Sequence, residues 1–472
     1  MFEIPDAEIK NRLRFDNIWW ESGEVDGRYR NWPRRAYLEG FMELVRPGGA
    51  ERAVVLMGPR RVGKTVMIHQ AIHGLMGSGV AARDILYLSA DTPVYTGLSL
   101  ETLLRHFQEI HSHERTAPLY VFFDEIQYHP EWELHLKSLV DSYPSIRFVA
   151  SGSAAAALKQ KSRESGAGRF TLFILPPLTF CEFLDFRRQS SLILRDVDRL
   201  NEQFMDYLNF GGFPEAVTDE RVRADMGRYV ADDIIDKVLL RDLPSLYGIS
   251  DPQELNRIFT VLALNTGQEV NIESLSQSSN VSKNTLKKYL EYLEAAFLIQ
   301  RLPRMDENAK RFRKQTNFKI YLTNPSLRAA LFGAIGPDDP AMGQMAETAI
   351  VSQYAQSQAF KFLSYARWKA GEVGLIYRLP DFAEAIEVKW SDRVFDHPTD
   401  ELKDLTAFCK KNGPFDVIAA TTRTRSGEQK IGEMEIEFVP TSTVCYGVGR
   451  GFVQSELEAG SHPLTALDFI NP

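Results

Sequence analysis

The sequence predicts an α/β fold built on a doubly wound parallel sheet, with further domains following it. Three observations carry that expectation. In the first 180 residues, short runs of apolar residues without polar alternation recur between helical segments, the pattern of strands covered on both faces. A glycine-bearing loop joins the first run directly to a helix. Further on, near 253–302, two short amphipathic helical segments are separated by a polar turn. The chain is 472 residues long, which suits two to four domains.

Residues 1–50 read as a helical lead-in. In NWPRRAYLEGFMELV, Tyr37, Phe41, Leu44 and Val45 fall at helical spacing, and Arg34 and Arg35 before them read as solvated or paired. The core domain is expected over 51–180. Its strands are AVVLM (53–57), DILYLSA (84–90), LYVFFDE (119–125), RFVASGS (147–153) and RFTLFIL (169–175). Residues 181–250 are expected to be helical, interrupted by NFGGFPEA. A helix-turn-helix is expected over 253–302, its second helix starting at Ser282 with Leu286, Tyr289, Leu290 and Leu293 on one face. A winged segment through 318–322 would extend that domain to 251–335. GPDDP (336–340) reads as a linker, and 341–472 as a last domain whose clearest strands are 383–390 and 414–421.

The net charge of −8 excludes a protein coated in basic charge for non-specific nucleic-acid binding, though not a local basic patch. Cys181, Cys409 and Cys445 are far apart and make no Cys-x-x-Cys pattern, so free buried thiols in a reducing cytoplasm are expected. The N-terminus lacks the basic and apolar regions of a signal peptide, and no apolar stretch reaches membrane-span length.

GPRRVGKT fits G-x-x-x-x-G-K-[ST] between a strand and a helix, the context that makes it a phosphate-binding P-loop. Gly58, Pro59, Arg60, Arg61, Val62, Gly63, Lys64, Thr65 and Val66 are the expected nucleotide contacts. Gly58 and Gly63 let backbone N–H groups turn toward phosphate oxygens. Lys64 is placed for the β- and γ-phosphates, and Thr65 for Mg²⁺. Some sixty residues later VFFDE ends a strand in Asp124, the expected metal carboxylate, and Glu125, the expected base toward water. The implied ligand is Mg-ATP, since no guanine-reading Asn-Lys-x-Asp stretch occurs. Ser151, at the end of the fourth strand with Gly152 and Ser153, is expected to sense the γ-phosphate or to position the water. Arg169 is expected as a cation for transition-state charge, in the same or a neighbouring subunit, with Arg241 a weaker candidate.

GPRRVGKT, FFDEIQYHPEW, VASGSAAA, the Gly168–Arg169 pair, ILPPLTFCEFL and GGFPEAV, in that order, resemble the prokaryotic AAA+-type ATPases often called archaeal ATPases. The resemblance covers roughly 30–390. It implies an AAA+ core, a helical lid, a winged helix, and a C-terminal domain like restriction endonucleases. Pro214 resembles a lid proline that contacts nucleotide. The endonuclease-like pattern would draw on Glu347, Glu387 and Lys389, but Gly374 stands where the pattern carries an acid, so that domain is expected to be degenerate. A local run of cations (Lys283, Lys287, Lys288, Arg301, Arg304, Lys310, Arg311, Arg313, Lys314 and Lys319) suits phosphate contacts, so DNA is an expected partner alongside a protein partner or a homo-oligomer. The function expected is an ATP-hydrolysing switch. The alternatives are a DNA-binding regulator with ATP as conformational ligand, or an ATP-dependent nuclease in defence against foreign DNA.

Overall fold

The computed structural model describes residues 4–46, 52–152, 168–191, 196–310, 316–354, 357–369 and 371–457. The chain divides into two compact units, Met1–Leu175 and Pro176–Pro472.

The first unit holds a five-stranded sheet of β1 (Ala53–Met57), β2 (Ile85–Ser89), β3 (Tyr120–Asp124), β4 (Arg147–Gly152) and β5 (Phe170–Ile174). Every pairing is parallel, and the order is β2-β3-β4-β1-β5. This is the doubly wound α/β core the apolar runs predict. All residues of β1 and β3 are buried, which explains why their sequences lack polar alternation. Strand order reverses at β1, and ligands of such sheets bind beyond the carboxyl ends of strands at that point.

The lead-in is more than the one predicted helix. Asp6–Asp16, Trp19–Ser22 and Gly27–Arg30 precede Leu38–Val45. It lies against β2, an edge strand with unpaired backbone groups. The Asn17 amide accepts from Tyr87 N–H at 2.6 Å and donates to Tyr87 C=O at 2.8 Å, as a neighbouring strand would. The indole N–H groups of Trp19 and Trp20 both reach the Ile85 carbonyl.

The second unit begins with helices, among them Phe180–Phe186, Val197–Phe210 and Pro214–Thr218. The predicted helix pair is Ile272–Ser279 and Lys283–Ala295. The Ser282 hydroxyl accepts from Thr285 N–H at the second helix's start, and Leu286, Tyr289, Leu290 and Leu293 are buried.

A nine-stranded sheet runs through the rest. Its strands are β6 (Glu269–Asn271), β7 (Ile299–Met305), β8 (Asn317–Leu322), β9 (Leu363–Trp368), β10 (Gly371–Arg378), β11 (Ala383–Glu387), β12 (Val417–Thr422), β13 (Gly427–Ile431) and β14 (Met434–Pro440). The order is β13-β14-β12-β11-β10-β9-β7-β8-β6. The boundary expected at 336–340 does not interrupt this sheet. Parallel pairing of β7 with β9 joins Arg304 to Tyr365 and Met305 to Ala366 across it. Sequence periodicity marks each strand but not its partner, so two expected domains read as separate share one sheet.

Candidate functional site

The P-loop lies where β1 ends and the helix Lys64–Gly77 begins. Gly58 is packed so closely that a β-carbon there would sit 2.2 Å from the Leu175 carbonyl oxygen. Gly63 has φ +95°, and Arg61, without a glycine's freedom, has φ +66°. Val62 is buried and anchors the loop's middle. Arg35, read from sequence as solvated or paired, is buried behind the loop and donates to the Val62 carbonyl at 2.8 Å. Lys64 is buried too, and its ammonium donates to the Pro59 and Gly58 carbonyls at 2.8 and 3.1 Å. Arg60 reaches the Tyr128 hydroxyl. Val66 is half-buried in the helix's first turn.

Asp124, the last residue of β3, is buried and holds four hydrogen bonds. Its Oδ2 accepts from the Thr65 hydroxyl at 2.7 Å and the Tyr87 hydroxyl at 3.0 Å. Its Oδ1 accepts from Ser151 Oγ and from Glu125 N–H. Sheet register explains the gathering. Pairing of Tyr87 with Phe122, and of Phe123 with Ala150, puts Tyr87, Asp124 and Ser151 on one face at one end of the sheet. A hydroxyl beside a carboxylate, both hard oxygen donors, fits Mg²⁺. Thr65 and Asp124 are the residues that would hold it.

Glu125 leaves the strand with φ +51°, a backbone conformation that is costly for a side-chain-bearing residue and is concentrated at functional sites. Burial pushes its carboxyl above the ordinary value, and Asp124 adds to this. Lys64 and a hydrogen bond from Gln127 act the other way.

Of the remaining predicted residues, Ser151 is brought to the site, but its hydroxyl is spent on Asp124 and its oxygen also receives Glu125 N–H. It therefore holds the Asp124 carboxylate. Ser153 lies outside the described residues.

Arg169 is a correction as regards the same subunit. It precedes β5, its carbonyl pairs with Ala53 N–H at the start of β1, and its guanidinium is bonded to Asp141. The P-loop begins at the other end of β1, roughly 16 Å away at ~3.3 Å per residue. Pro214 is buried at the start of its helix in the second unit.

Sequence reasoning missed Tyr87 and His69. Tyr87 had a weak signal, a hydroxyl within an otherwise apolar run. His69 lies one helical turn from Thr65 and bonds its carbonyl at 2.9 Å.

In the second unit, Glu347, Gly374, Glu387 and Lys389 do come together. A β-carbon at 374 would lie 3.4 Å from Glu347 Oε1 and 3.8 Å from Glu387 Oε2. Lys389 pairs with Glu387 at 3.1 Å. Lys319, buried and the last of the sequence's cation run, pairs with Glu347 at 2.9 Å and Glu372 at 2.7 Å, while the Tyr321 hydroxyl donates to Glu347. An ammonium thus sits among the carboxylates. Among the described residues no group of three or more His, Cys, Asp or Glu is arranged to hold a metal ion.

Within the expected basic strip, Lys283 pairs with Glu273, Arg301 with Glu294 and Arg304 with Glu269, so part of its charge is met locally. Lys287 and Lys288 are exposed, and Arg311, Arg313 and Lys314 lie outside the described residues. The three cysteines are free and buried, and among the described residues no helix is long and apolar enough to cross a membrane.

Two family models match successive parts of the chain. Residues 50–184 match a family described as AAA domain, and 201–338 match a domain of unknown function. An uncharacterized protein of Haemophilus influenzae is 29% identical over 309 residues, covering 64% of this chain and 74% of its own length. One from Methanocaldococcus jannaschii is 26% identical over 258 residues, 52% of this chain and only 55% of the relative. Among solved structures, the replication initiator DnaA bound to AMPPCP and single-stranded DNA is 12% identical. That match covers 57% of this chain and 92% of that one, with a TM-score of 0.29. A superposition at that score does not define function. The loop, the five-stranded parallel sheet and the match over 50–184 together give the first unit the fold of a P-loop AAA+-type domain.

Proposed function

We propose that the chain binds Mg-ATP at Gly58–Thr65 and Asp124, hydrolyses it to ADP and phosphate, and uses the change to switch its second unit. The observation that supports this most is the direct hydrogen bond between Thr65 and Asp124, with Glu125 as the next residue. A P-loop alone binds phosphate. A carboxylate held against its hydroxyl, followed by a second one of raised proton affinity, adds what hydrolysis requires.

In this reading the backbone N–H groups of Arg60–Thr65, at the start of the helix, bind the phosphate oxygens. Lys64 supplies positive charge to the β- and γ-phosphates. Mg²⁺, when bound, neutralises charge developing on those oxygens. Glu125 takes a proton from water as the water oxygen bonds to the γ-phosphorus and the bond to the ADP oxygen breaks. Ser151 keeps Asp124 in place.

The second unit is proposed to carry a winged helix over 251–335 and an endonuclease-like but non-cutting domain over 341–472. Gly374, and Lys319 among the carboxylates, support the absence of cutting. Exposed Lys287 and Lys288 offer a contact for DNA, and buried free cysteines suit the cytoplasm.

The test is phosphate release from ATP by purified protein, alone and with duplex DNA, single-stranded DNA or RNA. Turnover abolished by Asp124→Asn supports the reading. A wild type that releases no phosphate under any of these conditions, yet binds nucleotide, would reduce ATP to a conformational ligand.

A further inference from the structure

We propose that Tyr87 is the positioning residue of the metal-binding pair and that the N-terminal segment holds it in that role. The proposal rests on the ATP-site reading above. Oδ2 of Asp124 accepts from two side chains among the described residues, Thr65 at 2.7 Å and Tyr87 at 3.0 Å. Oδ1 is held differently, by Ser151 on the adjacent strand and by the next backbone N–H. Among the described residues, Tyr87 is therefore the one side chain from outside the loop and the β3–β4 pair that fixes the orientation of the metal-facing oxygen. A carboxylate lacking one of its supports samples more orientations, and a bound ion must then order it at the cost of affinity.

Tyr87 is itself fixed from two directions by residues outside the motifs. Asn17, fully buried, clamps both backbone groups of Tyr87 with its amide. The ring of Tyr87 lies 4.5 Å from that of His69, and Tyr29 stacks on the other partner position of His69 at 3.9 Å with the planes 24° apart. His69 bonds the Thr65 carbonyl through Nδ1. A carbonyl only accepts, so Nδ1 carries the proton there. One aromatic cluster thus touches both halves of the pair: Asp124 through Tyr87, and Thr65 through His69. Asn17 and Tyr29 belong to the lead-in, whose placement is coupled by these contacts to the hydrolytic centre. Displacement of that segment by a binding partner would act on metal affinity before it acted on nucleotide affinity.

The test uses full-length Tyr87→Phe, which keeps the ring and removes the hydroxyl. Binding of a fluorescent ATP analogue is measured in excess EDTA and across a Mg²⁺ titration, with a thermal melt alongside. Affinity in EDTA should stay within about twofold of wild type. The Mg²⁺ concentration giving half the metal-dependent gain in affinity should rise about tenfold, the lower end of the range for losing a residue that orients a ligand. Asn17→Ala should move that midpoint in the same direction, and it carries the test should Tyr87→Phe fail to fold. A midpoint within twofold of wild type in the folded variants overturns the proposal, even where the melting temperature falls, because Tyr87 would then serve stability alone. A wild type that binds no nucleotide with or without Mg²⁺ overturns the ATP-site reading itself, and this inference with it.

Discussion

The Thr65 hydroxyl donates to Asp124 Oδ2 at 2.7 Å, joining residues 59 positions apart in the chain. One starts the helix after β1 and the other ends β3, and β4 lies between those strands. The side chain that crosses the gap from β4 is Ser151, bonded to the other oxygen of the same carboxylate. The site is a product of strand order as much as of motif.

Lys64→Ala should weaken ATP binding by about 10–100-fold, since charged hydrogen bonds of about 1.5–3 kcal/mol are lost. The loop should survive, because Val62 and Arg35 anchor it independently of Lys64. Equilibrium binding of a labelled nucleotide checks this, and unchanged affinity would remove Lys64 from the site.

Glu125→Gln should leave affinity near wild type and slow turnover by roughly 10²–10⁴, the range for losing a positioned base. The amide retains size and a hydrogen-bonding oxygen toward Gln127 but cannot take a proton. Single-turnover phosphate release with pre-bound ATP isolates the step, and a rate within threefold of wild type would assign the base elsewhere.

Ser151→Ala and Arg169→Ala should separate sharply. Ser151 is buried against Asp124, so its loss should lower turnover about 10-fold or more at limiting Mg²⁺. Arg169 makes a half-exposed pair with Asp141, worth about 1 kcal/mol or less. Turnover measured at low enzyme concentration should barely respond to its removal. A loss of turnover in Arg169→Ala that grows with enzyme concentration would instead point to a role in a neighbouring subunit.

Lys319→Ala should destabilise the second unit by about 3–5 kcal/mol, because Glu347 and Glu372 lose the cation between them. Adding Glu347→Gln should recover part of the loss. Urea unfolding of the three variants, followed by a signal from the second unit, measures the coupling. Additive losses in the double variant would mean the pair contributes little.

Gly374→Asp alone should not produce DNA cleavage in Mg²⁺ or Mn²⁺. The new carboxylate would arrive beside Glu347 and Glu387 with the Lys319 ammonium still among them. Incubation with supercoiled, linear and single-stranded DNA checks it. Cleavage by this variant that disappears on adding Glu387→Ala would show that one substitution had silenced a nuclease.

Local spacing made the candidate nucleotide site legible. GPRRVGKT between strand and helix, and Asp124–Glu125 at the end of an apolar strand, are local patterns whose geometry follows from a few backbone dihedrals. The first four strands of the first sheet were readable for a related reason, since burial on both faces leaves an unbroken apolar run. Ser282 and the buried face of its helix followed from capping chemistry and the 3.6-residue period.

Register, strand order and the partners of charges were decided only by the tertiary structure. Arg169 follows Gly168 in a motif-like setting, yet the parallel pairing of β5 with β1 puts it at the wrong end of the sheet for its own P-loop. Tyr87 looks like any strand tyrosine until Asn17, 70 residues earlier, clamps its backbone and its hydroxyl meets Asp124. Lys319 counts as one more cation in a basic run, but folding buries it between Glu347 and Glu372. The physical reason is common to all three. A short segment encodes its own dihedrals and which of its faces is apolar, whereas the neighbour of a side chain across a sheet depends on which distant strand wins the pairing, and no local spacing records that.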